Sequence, residues 1–156
     1  MSADVRAILR ADALESEVQS AIIQYLKARK IRHTITEAKR SFNENHDIVR
    51  RVSPGWPDIT ACGCGGYLIG IECKRVVGGV LSYEQASELD GLHQSGALIV
   101  IARSVDDVDE LLRTKRTSQA TIAEIVKALA KGPDLKKIAR QKSSAKAIRA
   151  NRRRQF

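Results

Sequence analysis

The chain has 156 residues, 43% of them hydrophobic but only 4% aromatic, so it is about one domain long and its core must be aliphatic. Its formal charge is +9 and its isoelectric point near 9.8, which favours a polyanionic partner over a neutral small-molecule substrate. No apolar run approaches the roughly 18 residues of a membrane span, and three cysteines, an odd count, without a secretory leader argue for a reduced, cytoplasmic protein.

Taken in order, the chain first offers Asp12 as a helix cap, with Glu15 as its capping-box partner. Leu14, Val18, Ala21, Ile22, Tyr25 and Leu26 recur at helical spacing, which predicts a helix from about Ala13 to Arg29. Ile31 to Thr36 alternates loosely, is β-branched, and is expected to be a strand. Ala38 to Ser53 is polar and charged and reads as a loop near a site entrance, carrying Arg50 and Arg51. Two apolar runs follow, Ile59 to Cys62 and Tyr67 to Cys73. The Gly63-Cys64-Gly65-Gly66 stretch between them has the composition of a β-hairpin turn.

Past a flexible turn at Gly78-Gly79, Ser82 opens a second helix with Gln85 at the capping-box position. Ala86, Leu89 and Leu92 face a core, and the helix ends near Gly96. Ala97 to Ala102 is continuously apolar, which predicts a buried central strand. Ser104 caps a short helix with Val108, Leu111 and Leu112 on one face. Helix, three strands, helix, strand, helix is an α/β layout around a mixed sheet.

The composition changes after Leu112. Residues 1–112 hold 13 basic and 16 acidic side chains, a net of −3, whereas residues 113–156 hold 14 and 2, a net of +12. A domain over 1–112 and a basic, mostly helical or partly disordered extension over 113–156 are expected. Ile122, Ile125, Val126 and Leu129 give a short amphipathic helix there, Gly132-Pro133 breaks it, and another helix is expected over Leu135 to Ala150. Either this extension is a solvated end, or it contacts DNA through Lys136, Lys137, Arg152, Arg153 and Arg154.

Chemistry concentrates on the hairpin. Asp58 opens its first strand, and Glu72 and Lys74 close its second. The side-chain period of two puts Glu72 and Lys74 on one face, and Asp58 lies at the end of the paired strand nearest them. Two carboxylates suit Mg²⁺, which takes hard oxygen ligands and keeps several waters. A lysine beside such an ion can orient an attacking water or offset charge on a phosphate. The bland alternative is an exposed polar sheet face. Against it, Glu72 ends the run YLIGIEC, where a charge is costly unless solvated or paired.

Gly55-Trp56-Pro57-Asp58, Ile71-Glu72-Cys73-Lys74-Arg75 and Leu81-Ser82-x-x-Gln85 resemble the Pro-Asp…(Asp/Glu)-x-Lys signature of a large nuclease superfamily. Within it they are similar to the virus-type replication–repair nuclease domain, over about Leu14 to Leu112. The resemblance implies a restriction-endonuclease-like mixed β-sheet flanked by helices. It implies a Mg²⁺-dependent DNA endonuclease, with Mn²⁺ as a substitute, that leaves 5′-phosphate and 3′-hydroxyl ends. Asp58 and Glu72 would hold the metal with the Cys73 main-chain carbonyl, and Lys74 would act at the phosphate. Gln85 would help to place water or phosphate, and Arg75 would contact DNA beside Arg50 and Arg51. The family's helix acid matches Glu15 in Glu15-x-x-Val18-Gln19, with Glu17 as the alternative. Stand-alone members of this branch resemble junction resolvases. That implies a homodimer acting on branched DNA such as Holliday junctions, in phage replication or repair and hence in a host-cell cytoplasm.

Several of these residues have plainer readings. Glu15 also reads as a helix-cap acid, and Gln85 as a cap partner of Ser82; its two roles can each hold in part but are not expected at once. Cys62, Cys64 and Cys73 lack the paired spacing of a zinc site, and Cys73 is expected in the core. His33, His46 and His93 are scattered, and Trp56 either stacks on a base or packs its loop. The rival function is a catalytically weak DNA-binding or scaffold protein acting through the basic extension.

Overall fold

A computed structural model of the chain describes residues 14–36, 41–42, 48–49 and 53–135. Helix α1 (Glu15–Ala28) buries Val18, Ile22 and Leu26, spaced four apart on one face. Strands β1 (His33–Ile35), β2 (Ser41–Phe42), β3 (Ile48–Val49), β4 (Ile59–Cys62) and β5 (Leu68–Cys73) follow. Then come α2 (Tyr83–Gln94), β6 (Leu98–Ala102), α3 (Val105–Thr114) and α4 (Gln119–Ala130). The main sheet has the order β1-β4-β5-β6, antiparallel except for the parallel β5–β6 pair. That pair needs a crossover, which α2 supplies.

Alternation along the strands creates two apolar layers. Ile69, Ile71, Cys73, Val100 and Ala102 pack with Val18, Ile22 and Leu26 of α1 and Val108 and Leu111 of α3. On the other face Ile99 and Ile101 pack with Ala86 and Leu89 of α2 and Ile125 and Ala128 of α4. The result is an α/β fold, a four-stranded mixed sheet flanked by helices on both faces.

Four expectations need correction. At the start of α1 it is Glu17, not Glu15, that accepts a hydrogen bond from the cap residue, Leu14 N–H at 2.9 Å; Asp12 lies outside the described residues. The stretch read as a loop holds the paired strands β2 and β3, a separate two-stranded ribbon. The apolar strand β6 is buried but not central: it ends the strand order, and both its faces are covered by helices. On its outer edge Ile99 N–H is satisfied by Thr117 Oγ1 at 3.0 Å rather than by another strand. Finally, the boundary expected after Leu112 falls inside α3, and α4 beyond it belongs to the core, with Ile125 and Ala128 buried and Leu129 packed against the same cluster.

Candidate active site at the end of the hairpin

Two close approaches set the loop that carries Asp58. Gly70 of β5 has no side chain, and a Cβ there would come within 3.0 Å of Pro57 Cγ; the buried Pro57 ring lies in that space. Gly55 has φ +91°, and a Cβ on it would run into the main-chain carbonyl of Glu84 in the first turn of α2. Only glycine satisfies both the positive φ and that contact. The loop is thereby pressed on one side against β5 and on the other against the start of α2. Trp56 packs within it, its Nε1–H donating to Thr60 Oγ1 at 2.9 Å.

The pairing of Ile59 with Ile71, carried one step on, sets Asp58 across from Glu72. Asp58 Oδ2 accepts the Cys73 N–H at 2.8 Å, which fixes this carboxylate at the end of β5. Glu72 has no solvent exposure, and its Oε1 accepts from Lys74 Nζ at 2.7 Å and from Gln85 Nε2. Lys74, itself buried, also lies 4.0 Å from Glu15 Oε2. The structure thus brings Glu15, Asp58, Glu72, Lys74 and Gln85 together from α1, the hairpin and α2. Glu17 is turned away, engaged at its own helix cap.

Gln85 contacts the helix cap and Glu72 at the same time. Its carbonyl Oε1 accepts from Ser82 N–H at 3.0 Å, while its amide Nε2 donates to Glu72. A carboxamide has an acceptor end and a donor end, so the cap and the site use opposite ends of one group. Sequence reasoning also missed Arg103, whose guanidinium pairs with Glu124 of α4 and donates to Gly79 O at 3.0 Å, in the loop after Lys74. No short-range pattern links these residues. Arg75 is exposed beside Lys74, whereas Arg50, Arg51, Lys136, Lys137, Arg152, Arg153 and Arg154 lie outside the described residues. Cys62 and Cys64 are exposed near the hairpin tip, and Cys73 is core.

The electrostatics are those of carboxylates crowded out of water. Burial, with the charge of Asp58 added, pushes Glu72 from its ordinary 4.5 up to about 7, despite the hydrogen bond and charge of Lys74. Burial also raises Asp58, partly offset by the Cys73 N–H and by Lys74. Burial, with the charges of Asp58, Glu72 and Glu15 added, pushes the Cys73 thiol up.

The donor set suits a hard divalent cation. Among the described residues no three His, Cys, Asp or Glu side chains form a metal-holding group. Mg²⁺ needs fewer, since it is commonly bound through one or two carboxylates and keeps several waters. Glu72 Oε2 is buried without a hydrogen-bond partner, an arrangement that is costly unless something meets it. Asp58 and Glu72, raised by burial, would both be relieved by a positive charge between them. No helix among the described residues is long and apolar enough to cross a membrane. Comparison of the chain with protein-family models, with curated proteins and with solved structures finds no match in any of the three.

Proposed function

We propose that the chain is a metal-dependent DNA endonuclease that hydrolyses phosphodiester bonds at the end of the β4–β5 hairpin. The observation that carries this reading is Glu72: wholly buried, bonded to Lys74 and Gln85 through one oxygen, with the other oxygen unpartnered, and facing Asp58 across the sheet. A merely structural acid in this position would destabilise the fold without return. The mixed sheet with helices on both faces is compatible with the restriction-endonuclease-like arrangement, and the Pro57-Asp58…Glu72-Cys73-Lys74 motif supports the virus-type replication–repair branch.

Asp58 and Glu72 would hold Mg²⁺ or Mn²⁺, with the Cys73 main-chain carbonyl and, through water, Glu15. Such an ion supplies an activated water at neutral pH and polarises the scissile phosphate. The remaining work falls to the chain. Gln85 and Lys74 fix the Glu72 carboxylate in one orientation by holding Oε1. An ammonium has three donors, and with one directed at Glu72 the others would orient the water and offset charge at the phosphate. Exposed Arg75 would meet the DNA backbone next to the reacting phosphate. The finer reading is a homodimer in a host-cell cytoplasm acting on branched DNA, where two sites related by a two-fold axis suit a four-way junction.

A second reading, DNA binding or scaffolding through the basic extension, rests on the net +12 of residues 113–156. One experiment separates the two. Supercoiled plasmid and a synthetic four-way junction are incubated with the protein in Mg²⁺, Mn²⁺ or EDTA. The nuclease reading expects metal-dependent scission, faster on the junction. Binding of both DNAs without scission in either metal supports the rival.

A further inference from the structure

Arg103 stands immediately beyond the end of β6 and reaches in two directions. Its Nη1 and Nη2 fork onto Glu124 Oε2 and Oε1 of α4 at 3.0 and 2.8 Å. The same Nη2 donates to Gly79 O at 3.0 Å. Gly79 in turn lies against the main chain of the Lys74–Arg75 step. A Cβ on it would come to 2.5 Å from Arg75 O and 3.0 Å from Lys74 Cβ. In the loop between β5 and α2, Leu81 is buried just ahead of the helix, but Val76, Val77 and Val80 before it are all exposed. Between Val76 and Val80 its seat against Lys74 therefore leans on polar ties, and Arg103 supplies one from the far side.

A partly exposed ion pair alone would contribute little. A planar guanidinium held by both carboxylate oxygens is different, because it aims its remaining donor in a fixed direction. We propose that Arg103, aligned by Glu124 and acting through Gly79, is a positioning residue for Lys74. Helix α4 thus takes part in setting the reactive lysine. This rests on the reading of Lys74 as the amine at the reacting phosphate.

The test uses the full-length chain and two readouts. One is the rate at which an amine-acylating reagent modifies Lys74, measured by mass spectrometry against exposed Lys27 and Lys115 in the same molecules. The other is Mg²⁺-dependent plasmid cleavage, resolved into kcat and KM. Arg103→Met should raise Lys74 labelling and lower kcat, each by on the order of tenfold, with KM unchanged. Arg103→Met combined with Glu124→Met removes both charges, so the melting temperature lost in the single variant should return. Gly79 O still lacks its donor there, so Lys74 labelling should stay high and kcat low. A merely structural Arg103 gives the opposite: the double variant restores labelling and rate along with stability, and the proposal is overturned. Equal labelling gains at Lys74 and at the reference lysines would overturn it too, as general loosening. Should the parent protein cleave no DNA, the nuclease reading falls while the labelling ratio still decides the positioning.

Discussion

Replacing Glu72 with glutamine should make the metal-free protein more stable at pH 8 and, on the proposed function, abolish cleavage in Mg²⁺. Glutamine keeps the shape and an oxygen for Lys74 and Gln85, and it removes the charge that burial opposes. In the fold Glu72 titrates at about 7 instead of 4.5, because burial and Asp58 oppose its ionisation. The native state therefore holds a proton that the unfolded chain has already released. Stability falls as pH rises through the window from 4.5 to about 7, is unaffected by this group below it, and is level above it. Such a displacement corresponds to roughly 3 kcal/mol, and Glu72 is wholly buried, so solvent does not screen it away. That figure is already net of the Lys74 hydrogen bond and charge, which pull the other way, so the variant should gain on the order of 1–3 kcal/mol at pH 8. Urea unfolding of both proteins at pH 5 and pH 8 in EDTA measures it. The difference between variant and parent should grow toward pH 8, and millimolar Mg²⁺ should stabilise the parent only. A variant that is less stable than the parent by the same margin at both pH values would refute the reasoning.

Three further outcomes are expected. Lys74→Ala should lower turnover by about 10²–10³ with little change in DNA affinity, as judged by single-turnover rates beside binding titrations; equal losses in both would make Lys74 an ordinary phosphate contact. Ile125→Ala should cost about 2–4 kcal/mol in urea unfolding, whereas Val126→Ala on the exposed side of α4 should cost under about 0.5 kcal/mol, and a chain ending at Leu112 should aggregate. A chain ending at Leu135 keeps α4 but loses nine Lys and Arg with no acid among them, so it should fold and bind DNA with a shallower log–log salt slope. An unchanged slope would remove the extension as a main DNA contact.

The hairpin was legible because each of its signals is local: alternation, a glycine-rich turn, and a carboxylate at the end of an apolar run. The same locality misled elsewhere. Continuous apolarity in β6 reports that both faces are covered, and says nothing of how many strands flank it. Past Leu112 the described basic side chains, Arg113, Lys115, Arg116, Lys127 and Lys131, are exposed and drew attention from a buried stripe at Ile125 and Ala128. Glu15 and Glu17 both sit within reach of a helix cap, and only the observed start at Leu14 assigns Glu17 to it and leaves Glu15 near Lys74. Arg103 and Glu124 are 21 residues apart, on elements whose contact no periodicity foretells.

Single-turnover cleavage of end-labelled DNA against Mg²⁺ concentration, by the parent protein, Asp58→Asn and Glu72→Gln at matched DNA saturation, tests the central claim most directly. The parent should give scission that saturates with Mg²⁺, vanishes in EDTA and leaves 5′-phosphate ends, and neither variant any above background, although both should fold and bind DNA. Metal-dependent scission persisting in both variants, or absent from the parent in Mg²⁺ and Mn²⁺ alike, would contradict it.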